Sequence, residues 1–241
     1  MQAVHPSAIV ERKETQSGSG LQRIGGAAGV IFGAADLAVA GVLLISFKRF
    51  GLNPPLVGKE GQFADFLHTM LPVILPLMLA ETAAAVLALV FVRAIDERLR
   101  PLAPTASPIA ALFGYAGLVI LMLDFASFVA LEQGILGGNS HDTVVGLLPG
   151  WSVLTDTTGV VGGLLTVSWL LMINWIAARR GGYPRVLGYV GLVAAAIAFV
   201  GLMLSLHGFT HILVNLWEIA VGAAIWMGAK PASAGTVSEL P

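Results

Sequence analysis

Residues 186–228 read VLGYVGLVAAAIAFVGLMLSLHGFTHILVNLWEIAVGAAIWMG, and Glu218 is the one charged side chain among them. A single helix of this length rises ~1.5 Å per residue, about twice the thickness of a bilayer's hydrocarbon layer. The segment therefore turns back near its middle, giving two spans. Gly208 is the expected breaker, because glycine readily takes the conformation that ends helices. Thr210 would then cap the second helix.

Working outward, four more apolar segments have the roughly 20 residues that a spanning helix needs. The predicted spans are 24–46, 67–93, 109–131, 152–178, 186–206 and 209–228. Pro72 and Pro76 predict a kink or irregularity near the start of the second. The linker KRFGLNPPLVGKEGQFADF, residues 48–66, is too polar to span, and its phenylalanines could rest on the membrane surface. With 56% hydrophobic and 11% charged residues among 241, the chain is too poor in charge to cover a globular surface in water. The expected fold class is all-α, a polytopic transmembrane bundle of six helices embedded in a lipid bilayer. Polar tails are expected at 1–23, where GSG gives a flexible lead-in, and at 230–241, flanking one bundle domain over 24–229.

A net charge of −1 offers no basic field for nucleic acid. The absence of cysteine excludes disulfides, thiolate metal sites and iron–sulfur clusters. Of the 13 basic residues, all but Lys48, Arg49 and Lys59 fall on one side if the N-terminus is cytoplasmic. That bias predicts both termini inside.

Gly25, Gly29 and Gly33 form a strip of small residues on the first helix, and Gly188, Gly191, Ala195 and Ala198 form another on the fifth. Such strips let backbones approach closely in lipid. Each either packs this chain internally or, for Gly25, Gly29 and Gly33, docks a helix of another subunit.

The spans carry Asp36, Glu81, Asp124, Asp156 and Glu218 without a mid-membrane Lys or Arg. An acid at that depth costs a few kcal/mol on insertion scales and usually faces the protein interior or a water-filled cavity. It can be protonated, accept hydrogen bonds from neighbours, or share a bound cation. Asp124 has Ser127 nearby on its own helix. Asp156, among threonines, reads first as a polar helix start.

His207 and His211 stand at i and i+4, a spacing used to hold metal ions on helices. A break at Gly208 would divide them between two helices, leaving a metal site with Glu218 only if the three converge. His68 and His141 fall on the same, outer side. Outer histidines above deeper carboxylates suit a proton path, a cation site or a pH-sensitive gate.

The chain has no P-loop, H-E-x-x-H, G-x-S-x-G or repeated histidine box, and no motif implies a cofactor. The enzyme question therefore leans to no. No inverted repeat relates the two halves, which weakens a standard secondary-transporter reading.

The runs RIGGAAGVIFG (23–33), ARRGGYPRVLGYVGLVAAA (178–196) and NLWEIAVGAAIWMG (215–228) resemble an uncharacterised family of bacterial six-helix integral membrane proteins, a domain of unknown function. The resemblance implies the topology and a place in a bacterial inner membrane. It implies no activity and assigns no functional residue.

The leading functional reading is an integral membrane protein with an outward-facing acidic and histidine site that binds or moves a proton, a cation or a small polar ligand. Asp36, Glu81, Asp124, Glu218, His207 and His211 would carry that role. Two alternatives stand behind it. One is an accessory or structural subunit of a larger membrane complex. The other is an intramembrane enzyme acting on lipid or quinone through an acid–histidine pair.

Overall fold

The computed structural model describes residues 6–52, 58–204 and 207–228, with side chains over 20–52, 58–204 and 212–228. The described residues form six helices and no strand: α1 (Pro6–Arg49), α2 (Glu60–Leu99), α3 (Ala106–Leu136), α4 (His141–Arg180), α5 (Arg185–Met203) and α6 (His207–Trp226). Five contain stretches long and apolar enough to cross a membrane, while the described apolar part of α6 is the shorter Ile212–Trp226. Large apolar side chains such as Leu112, Val153, Val186 and Val193 are exposed on the outside of the bundle. Only a lipid solvent makes such a surface favourable. The protein is a multi-pass integral membrane protein.

Each helix packs on the next, α6 returns to α1, and α2 also touches α4. Glycine closes the ring. A Cβ on Gly26 would lie 2.6 Å from the Gly222 carbonyl oxygen, and one on Gly222 would lie 2.7 Å from the Gly26 carbonyl oxygen. Gly33 meets the Asn215 carbonyl, Gly29 the Phe91 ring and Gly25 the Ala94 methyl. The strip is thus spent inside the chain, half on α6 and half on α2. The docking face expected of Gly25, Gly29 and Gly33 is already occupied. Gly188 likewise packs on Ala178, and Gly191 on the Asn174 side chain.

Several sequence-based boundaries move. The tail expected over 1–23 is helical from Pro6, because the run from Ala8 to Gln16 consists of residues a helix tolerates and proline is accommodated in a first turn. Residues 230–241 lie outside the described residues. Both α2 and α4 have 40 residues, about 60 Å or twice the hydrocarbon thickness. The helix α2 is continuous through Pro72 and Pro76. Phe63 and Phe66 do not rest on the membrane. They are buried, with Phe47 edge-on to both and Trp151 of α4 stacked on Phe63 at 5.8 Å. Aromatic packing of this kind adds to area burial, and it holds the extra turns of α2 and α4 together. The break between α5 and α6 falls after Leu204 and before His207, not at Gly208, which is inside α6.

The two ends of the bundle differ in chemistry. One, here the basic end, carries Arg93, Arg98, Arg100, Arg179, Arg180 and Arg185 around the α2–α3 and α4–α5 turns. There Asp96, 3% exposed, accepts hydrogen bonds from Ser107 Oγ at 2.8 Å and from the Arg93 and Arg100 guanidinium groups. The opposite, histidine end carries His68 and His141.

Candidate functional site

At mid-depth α1, α2 and α6 bring three carboxyl groups together. Close approach at Gly33 sets Asp36, one turn further along α1, against Asn215 of α6. The Asn215 side-chain amide donates to Asp36 Oδ2 at 2.6 Å. Glu81 of α2, 2% exposed, lies near Asp36, and its Oε2 has no hydrogen-bond partner.

Glu218 stands one turn beyond Asn215 on α6. It is 4% exposed and its Oε2 lacks any hydrogen-bond partner. Its position is fixed from the preceding residue. Trp217 is buried, donates from Nε1 to the Leu187 carbonyl at 3.1 Å, and lies edge-on to Trp169 at 6.1 Å. Buried polar atoms are nearly always paired, so an orphaned carboxyl oxygen at this depth marks a place for a ligand, a proton or water.

Beside this cluster the ring of helices encloses a chamber of about 310 Å³, to which all six helices contribute. Asp36 and Glu218 line it from one side, Asp124 and Asp156 from the other. Among the described residues no lysine or arginine lines it. Asp124 Oδ1 accepts from Thr158 Oγ1 of α4 at 2.9 Å. The expected partner Ser127 instead donates to the Asp124 backbone carbonyl at 2.7 Å. Towards the basic end the walls become apolar and aromatic, with Phe91 and Trp169 in edge-to-face contact at 6.3 Å. Gly114 and Gly117 of α3 leave room for the Trp169 indole and for Thr166.

Asp156 is not a helix start. It lies well inside α4, at the wall of the chamber, and with Gly159 it is one of the exposed residues of the lining. The helix α5 begins beside the last residues of α4 and has 19 residues against 40. The first half of α4 therefore runs past the end of α5, and the chamber reaches the surface there.

Of the sequence-predicted acids, Asp36, Asp124 and Glu218 line the chamber together with Asp156, while Glu81 is buried on α2 near Asp36 and is not part of the lining. The side chains of His207 and His211 lie outside the described residues, so the metal site they would share with Glu218 does not enter this description. Their backbones both belong to α6. Among the described residues no group of three or more His, Asp or Glu is arranged to hold a metal ion. His68 and His141 do meet, with ring centroids 6.3 Å apart and His141 Nε2 3.3 Å from Asp65 Oδ1. That pair is exposed at the helix starts and does not line the chamber.

Two buried acids escaped the sequence reading, Asp96 at the basic end and Glu132. Glu132 of α3 is 0% exposed with both carboxyl oxygens unpartnered. The available signal was its place one turn beyond Phe128, between Leu131 and Ile135, on the face that packs into the aromatic cluster.

Compared with known proteins, the chain matches no family model, no curated protein and no solved structure. Function is therefore read from the geometry.

Proposed function

We propose that the protein is a bacterial inner-membrane protein whose central chamber binds a cation, with the proton as its competitor for the same carboxyl groups. One observation carries the reading. Among the described residues, a chamber shared by all six helices is lined by Asp36, Asp124, Asp156 and Glu218 and by no lysine or arginine, and the Glu218 carboxyl keeps a buried oxygen unsatisfied. Intramembrane acids of this kind mark ion or substrate sites by default. The distribution of Lys and Arg supports a cytoplasmic basic end, which sets Asp156 and the chamber mouth in the outer half of the membrane.

Protons and cations then exclude one another by mass action. A proton on Glu218 removes the charge that a cation needs, so cation binding weakens as pH falls. The test is a pH titration of tryptophan fluorescence on the full chain in lipid nanodiscs, because Trp217 adjoins Glu218 and Trp169 lines the chamber. The wild type is expected to show a transition that Glu218→Gln removes or displaces while helix content stays unchanged. Superimposable titrations of the two proteins would sink the assignment of Glu218.

A further inference from the structure

Resting on that reading, we infer that the cation is an amphiphilic organic ammonium ion, which enters the chamber from the bilayer. Three observations identify this class.

The first is the spread of the carboxyl groups. A bare metal cation needs several oxygens converging at about 2–2.6 Å, and among the described residues no group of three or more His, Asp or Glu is arranged to supply them. The acids instead stand around a space of about 310 Å³, the lower end of the roughly 300–1,000 Å³ that small organic ligands occupy. A charge carried on an organic body fills that space and can still face more than one carboxylate.

The second is the division of the walls. The acids and the Glu218 oxygen lie at mid-depth and towards the mouth, while Phe91 and Trp169 close the far end. An ammonium head with an aromatic or aliphatic body matches both halves. Its head would meet Asp36, Glu218 and Asp124, and its body would bury against the rings, with cation–π attraction available from the indole.

The third is the entrance. The exposed lining residues, Asp156 and Gly159, are flanked on α4 by the exposed apolar side chains Val153, Leu154, Val160 and Val161, and Met203 and Leu204 are exposed at the end of α5. A mouth framed by such residues opens to lipid, where amphiphilic cations concentrate and inorganic ions do not. A Cβ on Gly159 would meet no atom within 4 Å, so a large side chain can be placed in the mouth without moving the backbone.

The experiment uses the full chain in nanodiscs with three probes: benzyltrimethylammonium, its neutral carbon analogue neopentylbenzene, and potassium ion. Binding is followed by tryptophan fluorescence and calorimetry. Benzyltrimethylammonium is expected to bind saturably, to bind more weakly as pH is lowered, and to lose about tenfold or more in affinity in Glu218→Gln, the loss expected for a buried charge partner. Asp36→Asn should act in the same direction, which covers the case in which one variant folds poorly. Gly159→Leu should slow association several-fold.

Equal binding of neopentylbenzene, or binding indifferent to both Glu218→Gln and Asp36→Asn, overturns the inference, since the probe would then only be partitioning into apolar space. A proton transition that depends on Glu218, with no response to benzyltrimethylammonium, also overturns it but leaves the cation reading of the site intact. No response to proton, potassium or organic cation overturns both.

Discussion

Asp96 and Glu218 are both carboxyl groups buried to nearly the same degree in helices of one bundle. Around Asp96 the chain supplies every partner: the Ser107 hydroxyl, which ties the start of α3 to the end of α2, and two half-exposed arginines one turn away on either side. Around Glu218 it supplies a fixed backbone and a firmly anchored neighbour in Trp217, yet leaves a carboxyl oxygen without a donor. The first arrangement completes a structure. The second leaves a buried polar atom whose pairing is favourable, as a buried hydrogen bond is. Burial alone therefore does not separate a structural acid from a site; satisfaction does.

Four substitutions test that distinction. The largest effect is expected from Gly26→Leu, which removes the frame both regions depend on. The added side chain meets the Gly222 carbonyl rather than a movable side chain. The cost should exceed the roughly 1–3 kcal/mol of ordinary overpacking, seen as loss of a monodisperse peak in size-exclusion chromatography. Next comes Asp96→Ala, which removes the carboxylate shared by Ser107, Arg93 and Arg100, while Ser107 keeps the residue-96 carbonyl and Arg93 keeps Glu97 as acceptors. Because the arginines are half in solvent, about 2–3 kcal/mol is expected, read as a lower thermal midpoint with the proton response of the chamber retained. Thr158→Val removes the hydroxyl shared between Asp124 and two backbone carbonyls. It should cost about 1 kcal/mol and alter cation affinity modestly. Smallest in stability is Glu218→Gln, which should leave the thermal midpoint unchanged or slightly raised, because it deletes a poorly satisfied carboxyl, while abolishing the response.

This contrast was only partly legible in the sequence. Hydropathy located all six helices, five of which contain stretches long and apolar enough to cross a membrane, since a length of about 20 apolar residues is dictated by the bilayer. It missed the true helix lengths because the added turns of α2 and α4 are held by contacts among Phe47, Phe63, Phe66 and Trp151, which no local pattern encodes. Asp36, Glu81, Asp124 and Glu218 stood out as acids inside apolar runs. Their pairing did not, since Asn215 and Asp36 are 179 positions apart. Asp156 looked like a helix start because its threonines resemble caps; in the structure those hydroxyls, Thr157 and Thr158 included, donate to carbonyls of their own helix. Asp96 and Glu132 each fall just past a predicted span, 67–93 and 109–131, so neither counted among the intramembrane acids.

The most direct measurement is an infrared difference spectrum of the carboxyl C=O stretching region, recorded on the full chain in nanodiscs as pH is stepped. If the chamber acids exchange protons as a site and Asp96 is structural, the wild type and an Asp96→Asn variant will share a carboxyl band that Glu218→Gln removes or shifts. A band untouched by Glu218→Gln but lost in Asp96→Asn would reverse the roles assigned here to the two carboxylates.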